Sequence, residues 1–281
     1  MATEAQRREL AALLRTRRGQ LARADFGLPP VGRSRTDGLR REEVASLSGV
    51  SVTWYTWLEQ GRDISPSRQV LDAVARTLRL SPAEHAYVLS LVGYSAPAVE
   101  PDTTPAPAPG HVQRLLDALV GSPAFAIAPD WHISAWNAAY AALYPNIEVA
   151  PEAERNLLWL VFTDPYVRKL LPAWEADSGR FLAEFRAEAG PLLGDASVAA
   201  LVERLRAASP EFRAGWTSHD IQGFSSRERL FHHPDVGDLR LDHHRLTPSD
   251  VPGLHLVVYT PLDDGETPVR LAGLLAAQVI N

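Results

Sequence analysis

The stretch from Arg40 to Gly61, RREEVASLSGVSVTWYTWLEQG, constrains this chain more than any other. Helical spacing puts Val44 and Leu47 on one face of a first segment and Tyr55 and Leu58 on one face of a second. Ser48-Gly49-Val50-Ser51 lies between them. Gly49 can take the left-handed conformation that ends a helix, Val50 can plug the corner, and Ser51 can cap the second segment. Two short helices joined by a glycine-containing turn form a helix-turn-helix, whose second helix enters the DNA major groove.

The overall charge of −6 hides an uneven distribution. Residues 1–95 hold 14 arginines against 10 acidic residues, and residues 1–41 alone hold 10 against 4. The remainder of the chain is strongly acidic. A basic front on an acidic body fits one end that faces phosphates. On the first motif helix, Arg40 and Arg41 sit at the N-terminus, where helix dipole and side chain favour phosphate or guanine contacts. On the second, Val52, Thr53, Trp54, Thr56 and Trp57 are the outward positions, with packing of Trp54 or Trp57 against the preceding loop as the alternative. Arg33 and Arg35 in the loop Phe26–Gly38 are placed to reach a minor groove, and Arg62 a phosphate. Solvated surface charge is the competing reading for all five arginines.

Around this motif the pattern predicts five helices. The first covers residues 4–24, with Leu10, Leu13, Leu14 and Leu21 on one side; later ones start at Ser67 and at Ser81-Pro82. Residues 95–110 carry five prolines and no apolar periodicity, as expected of a stiff linker. The expected division is therefore a helical domain over residues 1–94, a linker over 95–110 and a second domain over 111–281. In the second domain, strands are expected at 124–128, 132–136, 219–224, 227–232, 238–245 and 254–260. The helices between them break at Asp164-Pro165, Pro172, Gly190-Pro191 and Ser209-Pro210, and a last helix covers 268–279. The fold class is an all-α helix-turn-helix domain followed by an α+β domain, an antiparallel sheet with helices on one face.

Several function classes lose support. There are no cysteines, which excludes disulfides, zinc fingers and thiol catalysis. No run is long enough to span a membrane, no secretory signal is evident, and a cytoplasmic protein is expected. His232 and His243 could meet across strands, but without a nearby acid pair they make a weak metal site. No nucleotide-binding or hydrolase motif is present, so no enzyme and no cofactor are expected. Large apolar residues in the second domain are mostly core, yet aromatics beside a few polar groups also build a small apolar ligand site. The candidates are Trp136, Tyr140, Arg155, Asn156, Phe162, Trp174, Phe185, Phe212, Trp216, His219 and His232. Asn137 reads as a helix cap, and Arg245 as a further polar neighbour.

The stretch RTDGLRREEVASLSGVSVTWYTWLEQGRDISPSRQVLDAVARTLRLSPAEHAYVLSLVG resembles the helix-turn-helix domain of XRE-type bacterial regulators, closest to their MmyB-like branch. The second domain is similar to the ligand-binding domain of that branch. The resemblance is carried by Asp130-Trp131, Ala135-Trp136-Asn137, Glu154-Arg155-Asn156-Leu157-Leu158, Val161-Phe162-Thr163-Asp164-Pro165 and Trp174. It continues through Ser209-Pro210-Glu211-Phe212, Trp216, His219-Asp220, His233-Pro234, Val236-Gly237 and Leu254–Thr260. It implies a transcription regulator; a nucleoid-associated protein that binds double-stranded DNA is expected, and a homodimer because helix-turn-helix proteins generally bind as dimers. It also implies a PAS-like second domain that encloses a small apolar, fatty-acyl ligand. Where relatives carry an aromatic after the Leu-Asp of the late strand, this chain has His243. The rival readings are a protein-interaction head on a purely dimerising second domain, and an enzyme acting on a hydrophobic small molecule.

Overall fold

The structure, a computed structural model, describes residues 2–29, 38–94 and 107–278. In chain order its helices are α1 Glu4–Gln20, α2 Arg41–Ser48, α3 Val52–Glu59, α4 Arg68–Thr77, α5 Pro82–Leu91 and α6 Gly110–Ala118. They continue as α7 Ala138–Leu143, α8 Asn146–Val149, α9 Leu157–Thr163, α10 Pro165–Leu170, α11 Trp174–Ala189, α12 Ala196–Ala208, α13 Pro210–Ser218 and α14 Thr267–Gln278. The strands are β1 Ala124–Ile127, β2 Ile133–Trp136, β3 Arg227–His233, β4 Gly237–Leu246 and β5 His255–Pro261. The described residues form two compact units. One contains residues 2–94, 186–199 and 214–223; the other contains 107–185, 200–213 and 224–278.

In the first unit, local signals place each helix end. Thr3 and Gln6 close a capping box on α1, and Ser81 and Glu84 close another on α5 with Pro82 in its first turn. Ser51 and Ser67 accept backbone N–H groups at the starts of α3 and α4. Gly49 ends α2 at φ 69°, the left-handed turn that a Cβ would strain. The core is built from Leu10, Leu13, Leu14, Leu39, Val44, Tyr55, Leu58, Leu71, Val74 and Leu78. Leu47 departs from expectation: it is 47% exposed. The inward stripe of α2 runs through Val44, Ala45 and Ser48, and Ser48 Oγ donates to Thr77 Oγ1 at 3.0 Å. At 100° per residue, Leu47 falls outside that stripe.

The second unit is a five-stranded antiparallel sheet in the order β2-β1-β5-β4-β3 with helices packed on it. Helices cover two faces rather than the one expected. On one face, Val112 and Leu116 of α6 pack against Ala124, Ala126 and Ala135. The other face presents Phe125, Arg229, Phe231 and Tyr259 to the region of α7, α9, α10 and α11. Burial on both sides explains why β1 is buried at every position. The expected breaks at Asp164-Pro165, Gly190-Pro191 and Ser209-Pro210 all separate helices. The expected strand at 219–224 does not form. His219 follows α13 at φ 55°, and Ile221 is buried in the core of the first unit instead. Its alternating pattern serves a helical core, not a sheet. The expected linker lies mostly outside the described residues.

Candidate DNA interface and ligand cavity

Helix α3 presents Val52, Thr53 and Trp57 on its exposed side, with Val52 42% and Trp57 37% exposed. Thr56 is half-buried. Trp54 is also half-buried and packs against the helical core. The guanidinium of Arg62 lies over the Trp57 ring at 5.6 Å, and its Nε donates to Gln60 Oε1 at 3.1 Å. Arg40 is exposed at the start of α2, where its backbone N–H donates to Glu43 Oε2 at 2.7 Å. Arg33 and Arg35 lie outside the described residues.

A buried carboxylate holds α3 in place. Glu59, its last residue, has 0% exposure. Arg18 of α1 reaches it with Nε at 2.5 Å and Nη2 at 3.1 Å, and Arg41 of α2 with Nε at 2.6 Å. Arg15 Nη1 donates to the Glu59 carbonyl at 2.8 Å. Burial pushes the Glu59 carboxyl up, but the hydrogen bonds from Arg18 and Arg41 outweigh it and hold the group below its ordinary value. Arg41 thus has a structural partner as well as a half-exposed guanidinium. Sequence reasoning missed Glu59. The clue is an acid at a helix C-terminus, where the dipole disfavours it, next to the apolar positions 55 and 58.

The second unit encloses an apolar cavity of about 40 Å³ between the sheet and the helices. Phe125, Tyr140, Tyr144, Phe181, Phe231 and Tyr259 supply its aromatic walls, and Leu143, Leu157, Leu160, Val161, Val167, Leu170 and Leu171 its aliphatic ones. Among the described residues one charged side chain lines it: Arg229, 3% exposed. Beside it, His243 stacks on Tyr259 with ring centroids 5.1 Å apart. Burial, with the positive charges of Arg229, Arg227 and Arg245, pushes His243 down to about 2, so its imidazole is neutral.

Residues 108–274 match the family model described as MmyB-like transcription regulator ligand binding domain, more than half of the chain. The chain belongs to this family. Residues 9–88 match a helix-turn-helix domain model. The chain is a DNA-binding transcription regulator with a ligand-binding domain. Comparison with curated proteins gave no match.

The regulator brings few of the expected ligand residues together. Only Tyr140 lines the apolar cavity. Trp136 and Arg155 line a separate polar recess of about 220 Å³, with the Arg155 guanidinium 5.2 Å from the Trp136 ring. Asn156 caps α9, accepting from Leu158 N and Trp159 N. Phe162 makes edge contacts with Trp174 and Phe212, and Phe185 with Trp131. These large rings pack on one another, as core aromatics do. Trp216 and His219 belong to the first unit, where Arg186 stacks on Trp216 and donates to Glu9 at 2.5 Å, with His219 Nδ1 3.2 Å from the same carboxylate.

His232 points to the outer face and pairs with Asp238 at 2.7 Å. His243 faces the opposite way, so the two histidines do not meet. Among the described residues, no group of three or more His, Asp and Glu is arranged to hold a metal. Nor is any helix there long and apolar enough to cross a membrane. Asn137 is a cap, accepting from Tyr140 N and donating to the carbonyls of Leu116, Leu119 and Ser122. Arg229 was not among the expected residues. Its signal was the period-two pattern of Arg227, Arg229, Phe231 and His233, a cation in line with an aromatic on a buried face.

Proposed function

We propose that the regulator binds a specific operator as a homodimer and senses a small apolar ligand of the fatty-acyl class in the cavity between sheet and helices. The observation that carries the ligand reading is the apolar lining of that cavity, within the span matched by the ligand-binding family. The ligand is larger than the present void, so binding requires the lining side chains to part. In this reading residues 1–94 are the DNA-binding head, 95–110 the linker and 111–281 the sensor, and the protein works on the bacterial nucleoid. Val52, Thr53 and Trp57 read base edges, with Thr56 beside them and Trp54 as a packing support. Arg40, Arg41 and Arg62, with Arg33 and Arg35 from the preceding loop, contact phosphate or the minor groove. A ligand shifts operator affinity only as far as it prefers one arrangement of the heads.

The test is an operator-binding series over salt. Arg40→Ala reduces affinity several-fold on all sequences and lowers the salt slope by about one. Trp57→Ala changes base preference at one position, by about 1 kcal/mol or more. Unchanged affinity and preference in the two variants overturns the assignment of α3. The exposed Leu47, Val52 and Trp57 favour a second reading, a head that docks on another protein. Absence of binding to duplex DNA even at low salt favours that one.

A further inference from the structure

An open sheet has two edges, and an edge strand with unpaired backbone groups is a template for another chain. In the second unit the two edges differ. At β2, Ile133 N donates to the Arg155 carbonyl at 2.6 Å and Ala108 N to the Ser134 carbonyl at 3.5 Å. His132 also bridges to Asn156. That edge is covered. At the other edge, β3 pairs with β4 alone, from Arg227 to His233. Its outward N–H and C=O groups have no partner among the described residues. Glu228, Leu230 and His232, the side chains of one face, are exposed, Leu230 by 39%.

We propose that β3 is the contact surface between two copies of this chain. It adds antiparallel to β3 of the second copy, about a two-fold axis through Leu230, and joins the two five-stranded sheets into one. This rests on the homodimer reading above and gives it an interface. A two-fold contact brings one patch against itself, so the patch must be self-complementary. β3 meets that condition. Side chains repeat every two residues, so an axis through Leu230 sets Leu230 against Leu230 and Glu228 against His232 of the second copy. Acid, apolar, base in one direction meets base, apolar, acid in the other. Both charged positions have capacity left. Arg240 donates to Glu228 from Nε at 2.6 Å and Nη2 at 3.1 Å, one to each oxygen, and each oxygen keeps a lone pair. Asp238 engages only Nδ1 of His232, at 2.7 Å, so the protonated ring keeps Nε2–H to donate. The adjacent registers fit worse. An axis through Arg229 sets that cation against itself, and one through Phe231 leaves Glu228 opposite Pro234.

A single strand pair is small beside the roughly 1,200 Å² that stable complexes bury, so the dimer is expected to come apart on dilution. The experiment is sedimentation of the full-length protein over about 1–100 μM, where a monomer–dimer equilibrium is expected. Leu230→Lys and Leu230→Glu, both at an exposed position, are each expected to weaken the dimer about tenfold or more, because like charges then meet on the axis. An equimolar mixture of the two variants is expected to restore it, which a folding defect in either would not do. The chain has no cysteine, so a single one can be placed at will. Leu230→Cys is expected to give a covalent dimer under mild oxidation, while Val120→Cys, at a position 76% exposed beyond the end of α6, stays uncross-linked. A dimer that neither charge variant weakens, or that the mixture does not restore, overturns this interface and leaves the homodimer reading standing. So does a dimer that cross-links as readily through Val120→Cys as through Leu230→Cys. A protein that stays monomeric over the whole range overturns both.

Discussion

The two units each bury charge, and they do so differently. In the head, Glu59 is fully buried but sits between Arg18 and Arg41, and each of its oxygens accepts a guanidinium N–H. On the sheet, Arg229 is buried as deeply, yet two of its N–H groups have no partner among the described residues. A buried ion costs several kcal/mol of desolvation unless geometry and hydrogen bonds return it. The head's network returns it internally and so ties α1, α2 and α3 together. On the sheet the face of Phe181 offsets part of it, and two N–H groups stay unmatched among the described residues.

This contrast can be broken by substitution, and the largest effect should fall in the head. Glu59→Gln leaves Arg18 and Arg41 without their shared anion and is expected to cost about 3 kcal/mol of head stability. Denaturant unfolding of the full chain measures it, with operator binding falling in parallel. A loss below about 1 kcal/mol would mean that the network is ornamental to the head.

Acid titration comes next. Burial raises the Glu9 carboxyl, but the hydrogen bond from His219 and the charges of Arg186 and His219 hold it below its ordinary value. Glu59 is depressed in the same direction. For a carboxylate depressed by folding, the stabilisation is fully present above the unfolded-state pKa and is lost as pH falls through the folded value. The melting temperature should therefore hold from neutral pH down to the ordinary carboxylate range and fall below it. Glu9→Gln should lower the plateau and make that fall shallower; an unchanged acid limb would remove Glu9 from the account.

The smallest effect has the opposite sign. Replacing Arg229 with Met exchanges an unmatched cation for an apolar side chain of similar length and is expected to stabilise the ligand-free protein by about 1 kcal/mol. Thermal unfolding of delipidated Arg229→Met and wild type checks it. Destabilisation would show that Phe181 and His243 already balance the charge, and the contrast between the units would disappear.

Much of the head was legible because its information is local. Ser51, Ser67, Ser81-Pro82 and Gly49 act on backbone groups within four residues, and each marks a helix end where the spacing predicts one. Leu47 was misplaced because a two-turn helix offers several three- and four-residue spacings, and only its packing against α4 chooses among them. The strands from 227 onward were legible from alternation. Ile221 follows the same alternation and belongs to another core, since periodicity reports that a side is buried and not what buries it.

The candidate ligand residues were the least legible part. Phe162, Trp174, Phe185 and Phe212 have the composition of a pocket, but edge-to-face packing satisfies them among themselves. His219 and Trp216 are near the other candidates in sequence and pack in the other unit. By itself the sequence determined the class of each domain, the two-helix motif and its basic surroundings, because caps, turns and periodicity act over a few residues. Only the tertiary structure decided that Glu59 would be shared by two arginines and that Arg229 would lack a full set of partners among the described residues. Whether a buried charge is balanced depends on groups distant along the chain, and no local pattern records which of them arrive.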